Sequence, residues 1–93
     1  LAPTDAGMRN DLGYAYLQQR QFDAALTQLA TASELAPNDA RVRNNLVLLL
    51  LASGDARRAV EVAETSGLDA DGFVRLQQQA QTLRGPSRQG ATP

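Results

Sequence analysis

The feature that most constrains this chain is an internal repeat with a period of 34 residues. When the sequence is shifted against itself by that period, eleven of 34 aligned positions are identical, whereas chance gives about two or three. The identities include Leu1-Ala2-Pro3 with Leu35-Ala36-Pro37 and Arg9-Asn10 with Arg43-Asn44. A period of this length is typical of stacked helical hairpins, so the sequence predicts an all-α solenoid.

The residues inside the repeat resemble those of the tetratricopeptide repeat, or TPR. The first repeat, at about 5–38, contains Leu12-Gly13-x-x-Tyr16, Ala25, Leu29, Ala32 and Pro37, with Arg9 where the family often has Trp. The second repeat, at about 39–72, keeps Leu46, Leu50, Ala59 and Ala63, but has Val47 for the glycine and Asp71 for the proline. The resemblance implies a right-handed α-solenoid of two TPR hairpins plus a C-terminal capping helix, within a domain over 1–84.

The apolar periodicity predicts five helices, at about 5–19, 22–35, 39–53, 55–66 and 70–84. Gly13 and Ala25 are small, so we expect the first two helices to approach closely there. Pro37 is expected to end the second helix and Gly67 the fourth. Aspartates precede the first, third and fourth helices as predicted N-caps: Asp5, Asp39 and Asp55.

The two ends of the chain lead to separate expectations. Leu1-Ala2-Pro3 matches the tail of an earlier repeat. We therefore expect the outer side of the first hairpin either to expose an apolar patch or to form a homodimer. Residues 85–93 lack an apolar pattern and are predicted to be a disordered tail.

Composition argues against catalysis. The chain has no Cys, His or Trp, and all nine of its basic residues are Arg. Thiolate, imidazole and Schiff-base chemistry are therefore excluded, together with the commonest zinc ligands. We predict no enzymatic activity, no cofactor and no metal. Asp69 and Asp71 are too few for a calcium site and are expected to cap the last helix.

Charge and hydropathy exclude two further classes of partner. The net charge is −1 and the Arg residues are scattered, whereas nucleic-acid binding needs a basic face. No apolar run approaches the roughly 20 residues of a membrane span. We therefore predict a protein or peptide partner, with neither nucleic acid nor membrane insertion.

In TPR proteins the first helix of each repeat lines a concave groove that binds peptides. Residues off the packing stripe of these helices, continued by the last helix, give the predicted groove: Asn10, Tyr14, Leu17, Arg41, Asn44, Asn45, Leu48, Leu51 and Arg75. The apolar members would contact the partner, and the polar members would hydrogen-bond its backbone or acidic groups. Alternatively, Leu48 and Leu51 pack against the last helix or a next repeat, and Asn10 and Asn44 bridge neighbouring helices.

Some TPR proteins hold a C-terminal carboxylate with a clamp of Lys, Asn and Arg. Asn45 and Arg75 match two elements of this clamp, but Asn10 stands where Lys is expected. Because a terminal carboxylate needs converging cations, we do not expect this clamp here.

The second half also resembles the C-terminal end of TadD-type proteins, which are TPR proteins of Flp (tight-adherence) pilus assembly in bacteria. The resemblance rests on residues 39–51, Gly54, residues 59–63 and the link Leu68-Asp69-Ala70-Asp71 into a final helix. It implies a scaffold in pilus or secretion assembly, located in the periplasm or at the outer membrane. A cytoplasmic location stays open. The alternative function is a TPR targeting or regulatory arm of a larger enzyme, such as a transferase.

Overall fold

The computed structural model of the chain describes residues 5–85, which fold into five helices without a strand among them. The helices are α1 (Asp5–Gln18), α2 (Phe22–Leu35), α3 (Ala40–Ala52), α4 (Ala56–Ser66) and α5 (Ala70–Arg84). All five predicted helices are confirmed, each end lying within one residue of its predicted position. The predictions for Leu1-Ala2-Pro3 and for the tail after Gly85 lie outside the described residues.

Aspartate side chains cap three of the helices. The Asp39 carboxylate accepts from the backbone N–H groups of Arg41 at 2.9 Å and Val42 at 3.4 Å. Asp55 and Asp69 accept from the third residue beyond them, at 3.2 and 2.7 Å. These bonds satisfy N–H groups that have no partner inside the helix. The N-cap role predicted for Asp5 is wrong, because Asp5 is already part of the helix. Its carboxylate instead lies 3.4 Å from Nε of Arg9.

Three helices end with the same turn, in which one residue adopts the left-handed conformation. Gly67 closes α4 with φ 78°, and Gly54 follows α3 with φ 94°. Arg20 follows α1 with φ 61°, the one non-glycine residue with positive φ in the described chain. In each case the next N–H donates to a carbonyl five residues back. This bond reverses the chain tightly enough for consecutive helices to pack antiparallel.

The two helices of the first hairpin approach each other closely at a glycine, as the sequence predicts. A Cβ atom placed on Gly13 would lie 2.6 Å from Cγ of Leu29 on α2, well inside van der Waals contact. Leu29 is fully buried, as is Ala25 one turn earlier. Only glycine therefore fits at this crossing without displacing a core side chain.

The core surrounds α3. Val42 and every residue from Leu46 to Ala52 are buried, and each of the other four helices packs against α3. A helical segment that is apolar around its full circumference, as residues 46–52 are, belongs in the middle of a fold. α3 therefore joins the first hairpin, α4 and α5 into one core.

α5 is positioned against α3 far more than against α4. Its buried residues are Gly72, Leu76 and Ala80, and Phe73 and Leu83 pack at the edge of the core. A last helix that simply extended the stack would lie against α4 as α3 lies against α2. Instead, α5 covers part of α3 and becomes one wall of the site described below.

The outer side of α1 is exposed. Met8 and Leu12 are 56% and 43% accessible, whereas their equivalents one repeat later, Val42 and Leu46, are 1% and 8% accessible. The two apolar residues on α1 therefore form an uncovered surface, called here the N-terminal face.

Replacing Gly13 with Ala is expected to destabilise the chain by about 1 kcal/mol. Overpacking against Leu29 costs about 1–3 kcal/mol, which outweighs the roughly 1 kcal/mol that Ala gains over Gly inside a helix. Chemical denaturation measures the free energy of unfolding.

A double-mutant cycle is the control for this prediction. The Leu29→Ala substitution removes the atoms that the new methyl group meets, so the cost of Gly13→Ala should fall or reverse in that background. A Gly13→Ala variant more stable than the parent chain would contradict the close approach.

Candidate functional site

A concave pocket of about 380 Å³ lies between α1, α3 and α5. We call it the groove pocket; its lining is Asn10, Asp11, Tyr14, Arg41, Asn44, Asn45, Leu48, Leu76 and Gln79. Six of the nine residues predicted from the sequence therefore meet at one site. The remaining three, Leu17, Leu51 and Arg75, lie elsewhere.

The polar floor of the pocket is held by a hydrogen bond between repeats. Nδ2 of Asn45 on α3 donates to Oδ1 of Asn10 on α1 at 3.0 Å, and Asn10 is only 3% accessible. A buried amide needs such a partner, because leaving it unpaired costs free energy. The alternative role predicted for Asn10, bridging neighbouring helices, is therefore observed, with Asn45 rather than Asn44 as its counterpart on α3.

The three predicted leucines are buried, which corrects the groove role expected for Leu17 and favours the packing alternative predicted for Leu48 and Leu51. Leu17 has no accessible surface, while Leu48 and Leu51 are 2% and 8% accessible. All three join the core cluster that also contains Leu76 and Ala80 of α5. Of the three, Leu48 alone still reaches the groove pocket as part of its lining.

Tyr14 is the large exposed side chain of the pocket, at 39% accessibility. Its ring can contact an apolar group while the hydroxyl remains in water, a common property of binding surfaces. Asn44 and Arg41 lie on the α3 side of the same pocket. Arg41 is exposed and its Nε lies 4.0 Å from Asp39, so this ion pair contributes little stability.

Arg75 lines a second, adjoining pocket of about 370 Å³ between α3 and α5. We call it the arginine pocket; its lining is Arg43, Asn44, Gly67, Leu68, Asp69, Gly72, Arg75, Leu76 and Gln79. Asn44, Leu76 and Gln79 line both pockets. The two pockets therefore lie side by side between α3 and α5.

The sequence-based prediction missed three residues of the groove pocket: Asp11, Leu76 and Gln79. Asp11 could have been predicted, because it follows Asn10 on the side of α1 that lies off the packing stripe. Leu76 and Gln79 could be found only by knowing that α5 lies against α3, which helical periodicity does not specify.

Residues 5–85 contain no group of three or more acidic side chains placed to hold a metal ion. No helix within that range is both long and apolar enough to cross a lipid bilayer.

Comparison with known families matches this architecture. The tetratricopeptide repeat pattern matches residues 1–46 and, in an overlapping second match, residues 16–83. The chain belongs to the TPR family. TPR repeats generally mediate protein–protein interactions and typically act as scaffolds without enzymatic activity.

A TPR repeat-containing protein of Pseudomonas aeruginosa is 32% identical to this TPR chain over 93 residues. The match covers the whole chain but only 38% of the relative, so the chain spans well under half of that protein's length. No solved structure gives a significant match.

The Asn10–Asn45 bond is expected to stabilise the contact between the two TPR hairpins. Asn10→Ala and Asn45→Ala should each lower the free energy of unfolding by about 1–3 kcal/mol, because the first leaves the half-buried amide of Asn45 unpaired and the second the buried amide of Asn10. The double variant should be more stable than the sum of the single effects predicts, by about 1 kcal/mol.

Asn44→Ala provides the matched control. Within residues 5–85, the one side-chain hydrogen bond of Asn44 is the one that its Oδ1 accepts from its neighbour Arg43. We expect it to change stability by less than about 0.5 kcal/mol. Strict additivity of the Asn10 and Asn45 effects in urea denaturation would refute the coupling.

Proposed function

We propose that this TPR domain is a non-enzymatic interaction module that binds a peptide or helical segment of a partner protein in the groove pocket. The observation that supports this most directly is the pocket itself, which combines apolar and amide side chains on one concave surface. Leu76 and the ring of Tyr14 would contact an apolar side chain of the partner. Asn44 and Gln79 would hydrogen-bond its backbone.

The proposed process is assembly of a bacterial Flp (tight-adherence) pilus or a related secretion machine. Its support is the resemblance of residues 39–71 to the C-terminal end of TadD-type proteins, and the relative from a bacterium. The partner would then be another component of that machine. The proposed location is the periplasm or the outer membrane.

Binding is expected to depend on the exposed residues of the groove pocket. Tyr14→Ala combined with Gln79→Ala should reduce capture of the partner by the intact protein at least about tenfold, because an aromatic anchor and a polar contact are lost together. Both side chains are exposed, so the variant should remain folded. Quantitative pull-down from the source bacterium, followed by identification of the captured proteins, measures this.

Val60→Ala is the matched control, because Val60 is as accessible as Tyr14, at 39%, but lies on α4 outside both pockets. It should capture the partner normally. Equal capture by the folded double variant would overturn the groove assignment.

Pilus assembly is tested in the cell. Deleting the gene should abolish surface pili if the proposed process is right, and the parent gene should restore them. The Tyr14→Ala/Gln79→Ala variant should restore few, since assembly would depend on the same contact. Normal piliation after deletion would remove the pilus proposal while leaving the interaction module itself intact.

We further propose that the N-terminal face pairs with the same face of a second copy of the 93-residue chain. Its support is the contrast between Met8 and Leu12, which are exposed, and their buried equivalents Val42 and Leu46. Burial of exposed apolar surface favours association. Sedimentation equilibrium should show a dimer that Met8→Glu/Leu12→Gln converts to monomer, and a monomer at millimolar concentration would contradict it.

A further inference from the structure

The arginine pocket contains a guanidinium group that the fold leaves without a carboxylate. Arg43 on α3 is the repeat equivalent of Arg9 on α1, and Arg9 pairs with Asp5 at 3.4 Å. The repeat equivalent of Asp5 is Asp39, but its Oδ1 caps α3 by accepting from the N–H of Arg41 at 2.9 Å. No carboxylate lies within 4.0 Å of Arg43 among the described residues.

Arg43 is nevertheless held in place. Its Nε donates to Oδ1 of Asn44 at 3.0 Å, and its Nη1 donates to the backbone oxygen of Ser66 at 3.4 Å. A guanidinium has five N–H donors, so three remain for another acceptor. Because the group is already fixed by a side chain and by the end of α4, little conformational entropy would be lost on binding an anion.

Arg75 on α5 adds a second cation to this pocket. It is exposed and lies in no ion pair or side-chain hydrogen bond recorded for residues 5–85. The acidic residue in the pocket is Asp69, whose Oδ1 accepts from the N–H of Gly72 at 2.7 Å. The charged residues lining the arginine pocket are two Arg and one Asp, a surplus of one positive charge on a chain of net charge −1.

The groove pocket next to it has a different character. It contains one Arg and one Asp, so its formal charge is balanced, together with Tyr14, Leu48 and Leu76. Leu76 lines both pockets, as do Asn44 and Gln79. A ligand that spans the two pockets would therefore meet an apolar surface in one and the guanidinium groups of Arg43 and Arg75 in the other.

We infer that the partner segment carries an apolar side chain for the groove pocket and an adjacent Asp or Glu side chain for the arginine pocket, where Arg43 and Arg75 bind its carboxylate. This inference rests on the proposed function, since it names the chemistry of the segment bound there. Charge-assisted hydrogen bonds to guanidinium supply direction as well as attraction. The acidic residue therefore orients the segment across the two pockets.

The test uses the full 93-residue chain and a phage-displayed library of random linear 12-residue peptides, with the peptide C-termini fused to the coat protein so that no free carboxylate is present. Selected peptides should be enriched in Asp or Glu close to Leu, Ile, Phe or Met. Synthetic copies should bind more weakly as salt rises, because screening weakens the exposed part of the contact. Replacing the acidic residue with its amide should weaken binding about three- to tenfold.

Two variants of α5 distinguish binding by the arginine pocket from a general effect of the protein's net charge. Arg75→Gln should weaken the acidic peptides about three- to tenfold and should bind their amide versions as the parent chain does. Arg84→Gln makes the same change of charge on the same helix, outside both pockets, and should leave binding unchanged. Equal losses in the two variants would overturn the inference.

The selection also distinguishes this inference from the proposed function. If peptides bind, lose affinity with Tyr14→Ala and show no acidic preference, the groove is a binding site but the acidic specificity is wrong. If the selected peptides bind the Tyr14→Ala variant as tightly as the parent chain, or if no peptide is selected, both the groove assignment and the inference fail.

Discussion

The burial of residues 46–52 of α3 on every side is the constraint on which the rest of the fold depends. Consecutive residues of an α-helix are about 100° apart, so the seven buried residues from Leu46 to Ala52 point in every direction. Each buried Leu or Val contributes about 1.5–3 kcal/mol from loss of contact with water. That stabilisation is available only when other helices cover all sides of α3, which requires the first hairpin, α4 and α5 together.

Much of this arrangement could be predicted from the sequence because its causes are local. The helix boundaries follow from apolar periodicity and from the end signals at Asp39, Asp55 and Pro37. The close approach at Gly13 follows from the absence of a side chain and its position opposite Leu29. Such features depend on residues near one another along the chain or within one hairpin.

The position of α5 could not be predicted in the same way. Its stripe of Leu76 and Ala80 shows which side is buried, but periodicity does not state which helix covers it. The misplacement of Leu17 and Leu51 has the same origin. These residues lie off the stripe that closes their own hairpin and so resemble free surface, yet both belong to the core cluster. The burial of these leucines and the position of α5 were therefore the parts that sequence pattern did not reveal.

A binding surface of this kind has no need of reactive side chains. Its specificity would come from the placement of amides and guanidinium groups that the fold has already fixed, such as Asn10 bonded to Asn45 and Arg43 bonded to Asn44. Preorganised donors lose less freedom when a ligand arrives. A chain without His, Cys or Lys can therefore be selective through geometry alone.

The attachment of α5 has a consequence for motion. This helix forms one wall of both pockets, and three of its fifteen residues, Gly72, Leu76 and Ala80, are buried. Because eight residues of α3 are buried, α5 is expected to open at a lower local unfolding free energy than α3. Its amide protons should exchange with solvent faster than those of α3, and a bound segment that bridges α3 and α5 should slow them. Occupancy of the site would thus be coupled to the order of the helix that completes it.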